Sequence, residues 1–177
     1  MACTNISHKD NSTAQSAQQR ARVAEFVRSG WNFELGNTMD EIKQSLGKPL
    51  SDDVKPIRNP HVGGQVDEIH NLDYGGLVVS VYRANEKPPR DLAFRLIITD
   101  KRFPLKWGLR IGSRRADVIR IFGQPDKVGD HIRYSSVDIE AGDDNSVTFS
   151  LSSGQIEKVE WEWYLDGAYW LATSKRT

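Results

Sequence analysis

The chain repeats a short pattern. The stretch Leu35 to Pro49 carries Gly36, Ile42, Leu46, Gly47 and Pro49, and Ile111 to Pro125 carries Gly112, Val118, Phe122, Gly123 and Pro125. Each counterpart lies 76 positions downstream, and the apolar residues hold register from Leu35/Ile111 onward. Self-similarity at a fixed offset marks a duplicated unit that buries its apolar face against a neighbour. Each copy has the chemistry of a short helix. Asn37 or Thr38 can accept from free N–H groups at the helix start, Thr38 and Glu41 match a capping box, and Ser113 offers a cap in the second copy. Ile42 and Leu46 share a helix face, as do Val118 and Phe122. Gly47 and Gly123 suit the left-handed residue that ends a helix, and Pro49 and Pro125 keep it from restarting. Neither copy has a glycine-rich loop between a strand and a helix start, so these glycines are punctuation rather than a phosphate cradle.

An amphipathic helix over Ala14–Ser29, ended by Gly30, precedes the first copy. Three strand-like segments follow each copy: 67–74, 77–82 and 92–99, then 131–139, 146–151 and 158–165. Residues 103–109 suggest a further strand joining the halves. The expected fold is α+β, with two tandem helix plus antiparallel β-meander units forming a continuous curved sheet with helices on one face. The expected organisation is a disordered tether over 1–15, a first unit over 16–102 and a second over 103–177.

Twenty-four basic residues balance 24 acidic ones, which gives no global attraction to nucleic acid or to an anionic membrane. No stretch approaches the roughly 18 apolar residues of a membrane helix. A single cysteine, Cys3, excludes an internal disulfide. Met1-Ala2-Cys3 is followed by a polar run rich in Ser, Asn and Gln through about Gln19. This resembles the mature start of a bacterial lipoprotein whose signal peptide has been replaced by Met1. The resemblance implies a lipid on Cys3 as the membrane contact and a location in the bacterial cell envelope, in the periplasm.

Alternation assigns the two sheet faces. Leu77, Val79 and Val81, then Leu92, Phe94, Leu96 and Ile98, then Val147, Phe149 and Leu151, and finally Val159, Trp161, Trp163 and Leu165 are expected to face the helices. The opposite face carries Tyr82, Arg95, Ile97, Thr148, Ser150, Glu160, Glu162 and Tyr164. Its aromatic and charged residues make Tyr82, Arg95, Glu160, Glu162 and Tyr164 the candidate partner-binding set. Glu160 and Glu162 can also pair with Arg95 or Arg133 across strands. The halves differ in the connection Leu50–Gln65, which reads as an inserted loop with Pro56, Pro60, Gly63 and Gly64, and in Ala84–Asp91, with Pro88-Pro89.

The motif Gly-x-Thr/Ser-x-x-(Asp/Glu)-(Ile/Val), then Leu/Phe-Gly-x-Pro and a meander, resembles the small envelope lipoproteins of the SmpA/OmlA type. Two in tandem resemble the β-lactamase inhibitory protein architecture, in which the concave side of a curved sheet grips a partner enzyme. The resemblance spans about Trp31 to Leu165. It implies a non-enzymatic envelope protein that binds another envelope protein, as an inhibitor or an assembly factor.

Catalytic constellations are missing from the pattern. His8, His61, His70 and His131 are scattered, and no pair has zinc-ligand spacing. No Gly-x-Ser-x-Gly elbow occurs. Asp143-Asp144-Asn145 lacks the downstream glutamate of a calcium loop. No metal, other cofactor or nucleic acid is expected. Arg110, Arg114, Arg115 and Arg120 cluster at the second helix, with two of them at its start, where the helix dipole disfavours cations. An acidic partner and a solvated helix face both fit this cluster. Two other functions remain open: a small-ligand carrier or enzyme with a pocket between the units, and a toxin-immunity protein.

Overall fold

The structure, a computed structural model, describes residues 15–59, 61–138 and 143–163. Cys3, Tyr164, Leu165 and the stretch 1–14 of the expected tether lie outside the described residues. Along the chain come α1 (Ala17–Ser29), α2 (Met39–Leu46), β1 (Ser51–Arg58), β2 (Val66–Asp73), β3 (Leu77–Ala84) and β4 (Arg90–Ile98). A 3-10 turn (Lys106–Gly108), α3 (Arg115–Phe122), β5 (His131–Asp138), β6 (Asp143–Ser152) and β7 (Gln155–Glu162) follow.

The repeated motif folds as its punctuation dictates. α2 and α3 are eight residues each and bury Ile42 and Val118 completely. At the start of α2, Thr38 Oγ1 accepts from the Glu41 N–H, and the Glu41 carboxylate accepts from the N–H groups of Asn37 and Thr38. At α3 the Asp117 carboxylate accepts from the Arg114 N–H. Ser113 does not cap α3 as the spacing suggests; its Oγ accepts from the Arg110 N–H and closes the turn before the helix. Gly47 (φ 83, ψ −164) and Gly123 (φ 78, ψ −156) end the helices in a region that only glycine enters readily.

The strands form one antiparallel sheet in the order β1-β2-β3-β4-β7-β6-β5, so the expectation of two tandem units is corrected. β4 pairs with β7 in the middle of the sheet, and one buried core runs under strands from both halves. The reason lies in how α1 packs. This helix precedes the first motif but lies on β5, β6 and α3, which come from the second half of the chain. Phe26 of α1 meets Phe122, Phe149 and Trp161 at ring-centroid distances of 4.9, 5.7 and 5.4 Å. Trp161 Nε1 donates to the Phe26 carbonyl at 2.9 Å, and Trp163 Nε1 to the Val27 carbonyl at 3.0 Å. An eight-residue helix cannot cover a meander, so the halves share their covering.

Two further expectations change. Residues 51–58 of the expected insertion loop form β1, a strand with no counterpart among the described residues of the second half. It is exposed along nearly its whole length, so it shows no alternation to read, and it carries Asp52, Asp53, Lys55 and Pro56 as edge strands do. Instead of a strand, residues 103–109 make a single bridge, Leu105 to Trp31, and the 3-10 turn.

A bulge alters which face β4 presents. Ser80 pairs with Arg95 but Val81 pairs with Ala93, leaving Phe94 as the extra residue. One added residue inverts the parity of everything before it. Leu96 and Ile98 therefore face the helices as expected, while Leu92 and Phe94 turn away and join Tyr82, Ala84, Ile57 and Ile69 in a second, smaller cluster.

Candidate functional site

The sheet face turned away from the core is built from rows of paired residues. One row runs Ser135, Ser146, Glu162, Arg95, Ser80 and Asn71; the next runs Arg133, Thr148, Glu160, Ile97 and Val78. The buried residues of all three helices belong to the core on the other side. Arg95, Glu160 and Glu162 of the expected partner-binding set are thus brought together. Glu160 is buried, yet Arg95 Nε donates to its Oε1 at 2.6 Å and Lys158 Nζ donates to its Oε2 at 2.8 Å. Burial pushes the Glu160 carboxyl up, but these two cations outweigh it and hold the group below its ordinary range. Glu160 is held as a carboxylate between two cations and offers no poised acid or base.

Tyr82 lies on the same side of the sheet but is buried in the smaller cluster. Its hydroxyl donates to Asp67, a carboxylate with no exposure at all. Asp67 also accepts from Asn59 Nδ2, Gln65 Nε2 and the Asn85 N–H at 2.8, 2.7 and 2.9 Å. Burial raises the Asp67 pKa and these four donors more than reverse it, so the carboxylate is held below its usual range. Burial and the Asp67 charge together push the Tyr82 phenol far up. The group ties the ends of the β1–β2 connection to the end of β3.

The two sheet edges differ. At the β5 edge, Asp126 and Lys127 run alongside Arg133: the Asp126 N–H donates to the Arg133 carbonyl, the Arg133 N–H to the Lys127 carbonyl, and the Ser135 N–H to the Asp126 carboxylate. That edge is covered at Arg133 and Ser135. β1 pairs only with β2, and among the described residues no backbone bond reaches its outer side. Around it stand Leu50, Val54, Val62 and Val66, exposed by 77, 43, 49 and 46%. The sequence signalled this place only as a long connection.

The histidines remain apart. His61 and His131 are exposed, and His131 Nδ1 lies 3.1 Å from Ser150 Oγ. His70 is buried on the helix side of β2, with Asp52 3.0 Å from Nδ1 and Glu68 3.2 Å from Nε2. Glu68, two residues before on the same strand face, was readable; Asp52 was not, because it sits on β1. No hydroxyl or thiol among the described residues is bonded to His70, so the group lacks a nucleophile. No group of three or more His, Cys, Asp or Glu side chains among the described residues is arranged to hold a metal. No helix among the described residues is long and apolar enough to cross a membrane.

Among the described residues these features define a seven-stranded antiparallel sheet covered by helices on one side, with the β5 edge partly covered and the β1 edge uncovered. No protein-family model and no curated protein matches the chain. A solved structure, that of the uncharacterized protein yfeY from Escherichia coli, is similar at a TM-score of 0.35 and 15% identity, over 67% of this chain and 92% of that one. A likeness that weak carries no argument.

Proposed function

We propose that this chain is a non-enzymatic protein of the bacterial cell envelope, held at the membrane by a lipid on Cys3, that docks another envelope protein along β1 and the sheet face beside it. The open β1 edge carries this reading. Among the described residues, alternate residues of this eight-residue strand turn unpaired backbone groups outward, Pro56 offering only its carbonyl, and exposed aliphatic side chains flank them, while the opposite edge is covered at Arg133 and Ser135 by the protein's own chain. Exposed edges of this kind accept a partner's extended segment, and side-chain pockets add selectivity. Glu160, held as a carboxylate between the two cations Arg95 and Lys158, supports a binding role over a catalytic one. The polar run after Cys3 and the resemblance to SmpA/OmlA-type lipoproteins motivate the compartment. Inhibition of an envelope enzyme and support of envelope assembly both fit such a platform.

The test is affinity purification of the full chain from envelope extracts, followed by titration of any recovered partner. Val54→Lys should weaken that partner by tenfold or more while leaving the fold intact. Unchanged affinity for Val54→Lys would place the docking surface elsewhere. Palmitate labelling of Cys3 in cells, lost in Cys3→Ser, tests the anchor separately.

A further inference from the structure

We propose that a cleft between the 3-10 turn and α3 binds a phosphate ester carried on an apolar or aromatic body. The cleft encloses about 420 Å³ and is lined by Trp107, Arg110, Ser113, Arg114, Asp117 and Arg120, among others. Its lining thus carries three arginines and one aspartate. Asp117 is already committed: one oxygen accepts from the Arg114 N–H and the other from Arg120 Nη2, each at 3.2 Å. Among the described residues no acidic side chain pairs with Arg110 or Arg114. A helix start repels cations, so placing Arg114 there is unfavourable unless an anion arrives. These arginines border one hollow together with a tryptophan.

Trp107 supplies the second observation. It is a non-glycine residue in the left-handed region (φ 54, ψ 28), a conformation such residues rarely adopt. Its ring is pinned against Phe122 (5.6 Å, edge-on) and Phe26 (5.7 Å), yet it stays 37% exposed as part of the cleft lining. An indole wall beside guanidinium forks fits a ligand that is charged at one end and apolar at the other. Two unpaired forks match a phosphate dianion better than a carboxylate, which one fork would satisfy. The phosphate can belong to a soluble small molecule or to a lipid headgroup.

The experiment uses the full chain and two kinds of probe. Calorimetric titration with phenyl phosphate, inorganic phosphate and benzoate reads the soluble source. Flotation with phosphatidic acid-containing vesicles, against phosphatidylcholine alone, reads the lipid source. Phenyl phosphate should bind saturably, at least fivefold tighter than either other probe. Arg110→Gln with Arg114→Gln should weaken it about tenfold with no change in thermal midpoint, and the matching lysine pair should lose less. Vesicle binding that requires Arg110 and Arg114 would assign the headgroup; phenyl phosphate binding without it would assign the soluble ester. Absence of saturable binding to all probes, equal binding of benzoate, or a glutamine pair that binds as tightly as the native chain would overturn the proposal.

Discussion

Tyr82→Phe removes one of four donors from the buried carboxylate of Asp67 and leaves the others in place. The expected cost is about 1–3 kcal/mol, measured by urea denaturation. Its pH dependence has a definite sign. The Asp67 carboxyl is held below its ordinary value of 3.8, so its stabilisation is present above that pH and lost as pH falls through the folded value. Between about pH 7 and about pH 2.5 the native chain should therefore lose more stability than Tyr82→Phe does. A second residue-scale test concerns the helix ends. Gly47→Ala and Gly123→Ala should each cost about 1–3 kcal/mol through backbone strain. Gly123→Ala should cost more, because its Cβ would lie 2.8 Å from Gln19 Oε1, the oxygen that accepts from the Ser16 N–H at the start of α1. These glycines were legible in the sequence because a helix stop is a local requirement. The setting of Tyr82 was not. Strand parity placed it on the outward face, but only the pairing of β2 with β3 brings Asp67 within its reach.

Among the elements, β1 is the one whose character decides the proposed function. Its side chains contribute little to the core, so Val54→Lys should change stability by no more than about 0.5 kcal/mol. Leu72→Ala on the adjacent β2 should cost about 2–5 kcal/mol, because Leu72 has no exposure. Denaturation midpoints for the pair test whether β1 is an outlying strand laid on a finished core. The strands with alternating burial were readable from the sequence, since a half-buried strand writes its period into the chain. β1 was not, because a strand exposed on both faces has no period to write. The bulge at Phe94 was also hidden: it is a fact of register between two strands, and neither strand shows it alone.

At the scale of the molecule, α1 binds the two halves of the chain into one structure. Phe26 sits amid Phe122, Phe149 and Trp161, all from the second half. Phe26→Ala should cost about 3–5 kcal/mol, and unfolding should remain one transition seen alike by far-ultraviolet circular dichroism and tryptophan fluorescence. The duplicated motif was visible from the first reading, but the way the copies combine was not. A repeat in sequence specifies a local helix and its caps; which strands that helix covers depends on contacts more than 100 residues apart, such as Trp161 Nε1 with the Phe26 carbonyl. Among the described residues the resulting platform has a partly covered β5 edge and an uncovered β1 edge, and the β1 edge is where we propose that another protein docks. The decisive experiment places a photo-reactive amino acid at Val54, and separately at His131 on the opposite β5 edge, in the full chain within cells that make it. Docking along β1 requires a cross-link to one discrete partner from Val54 and none from His131; a cross-link from His131 alone, or none from Val54, would contradict it.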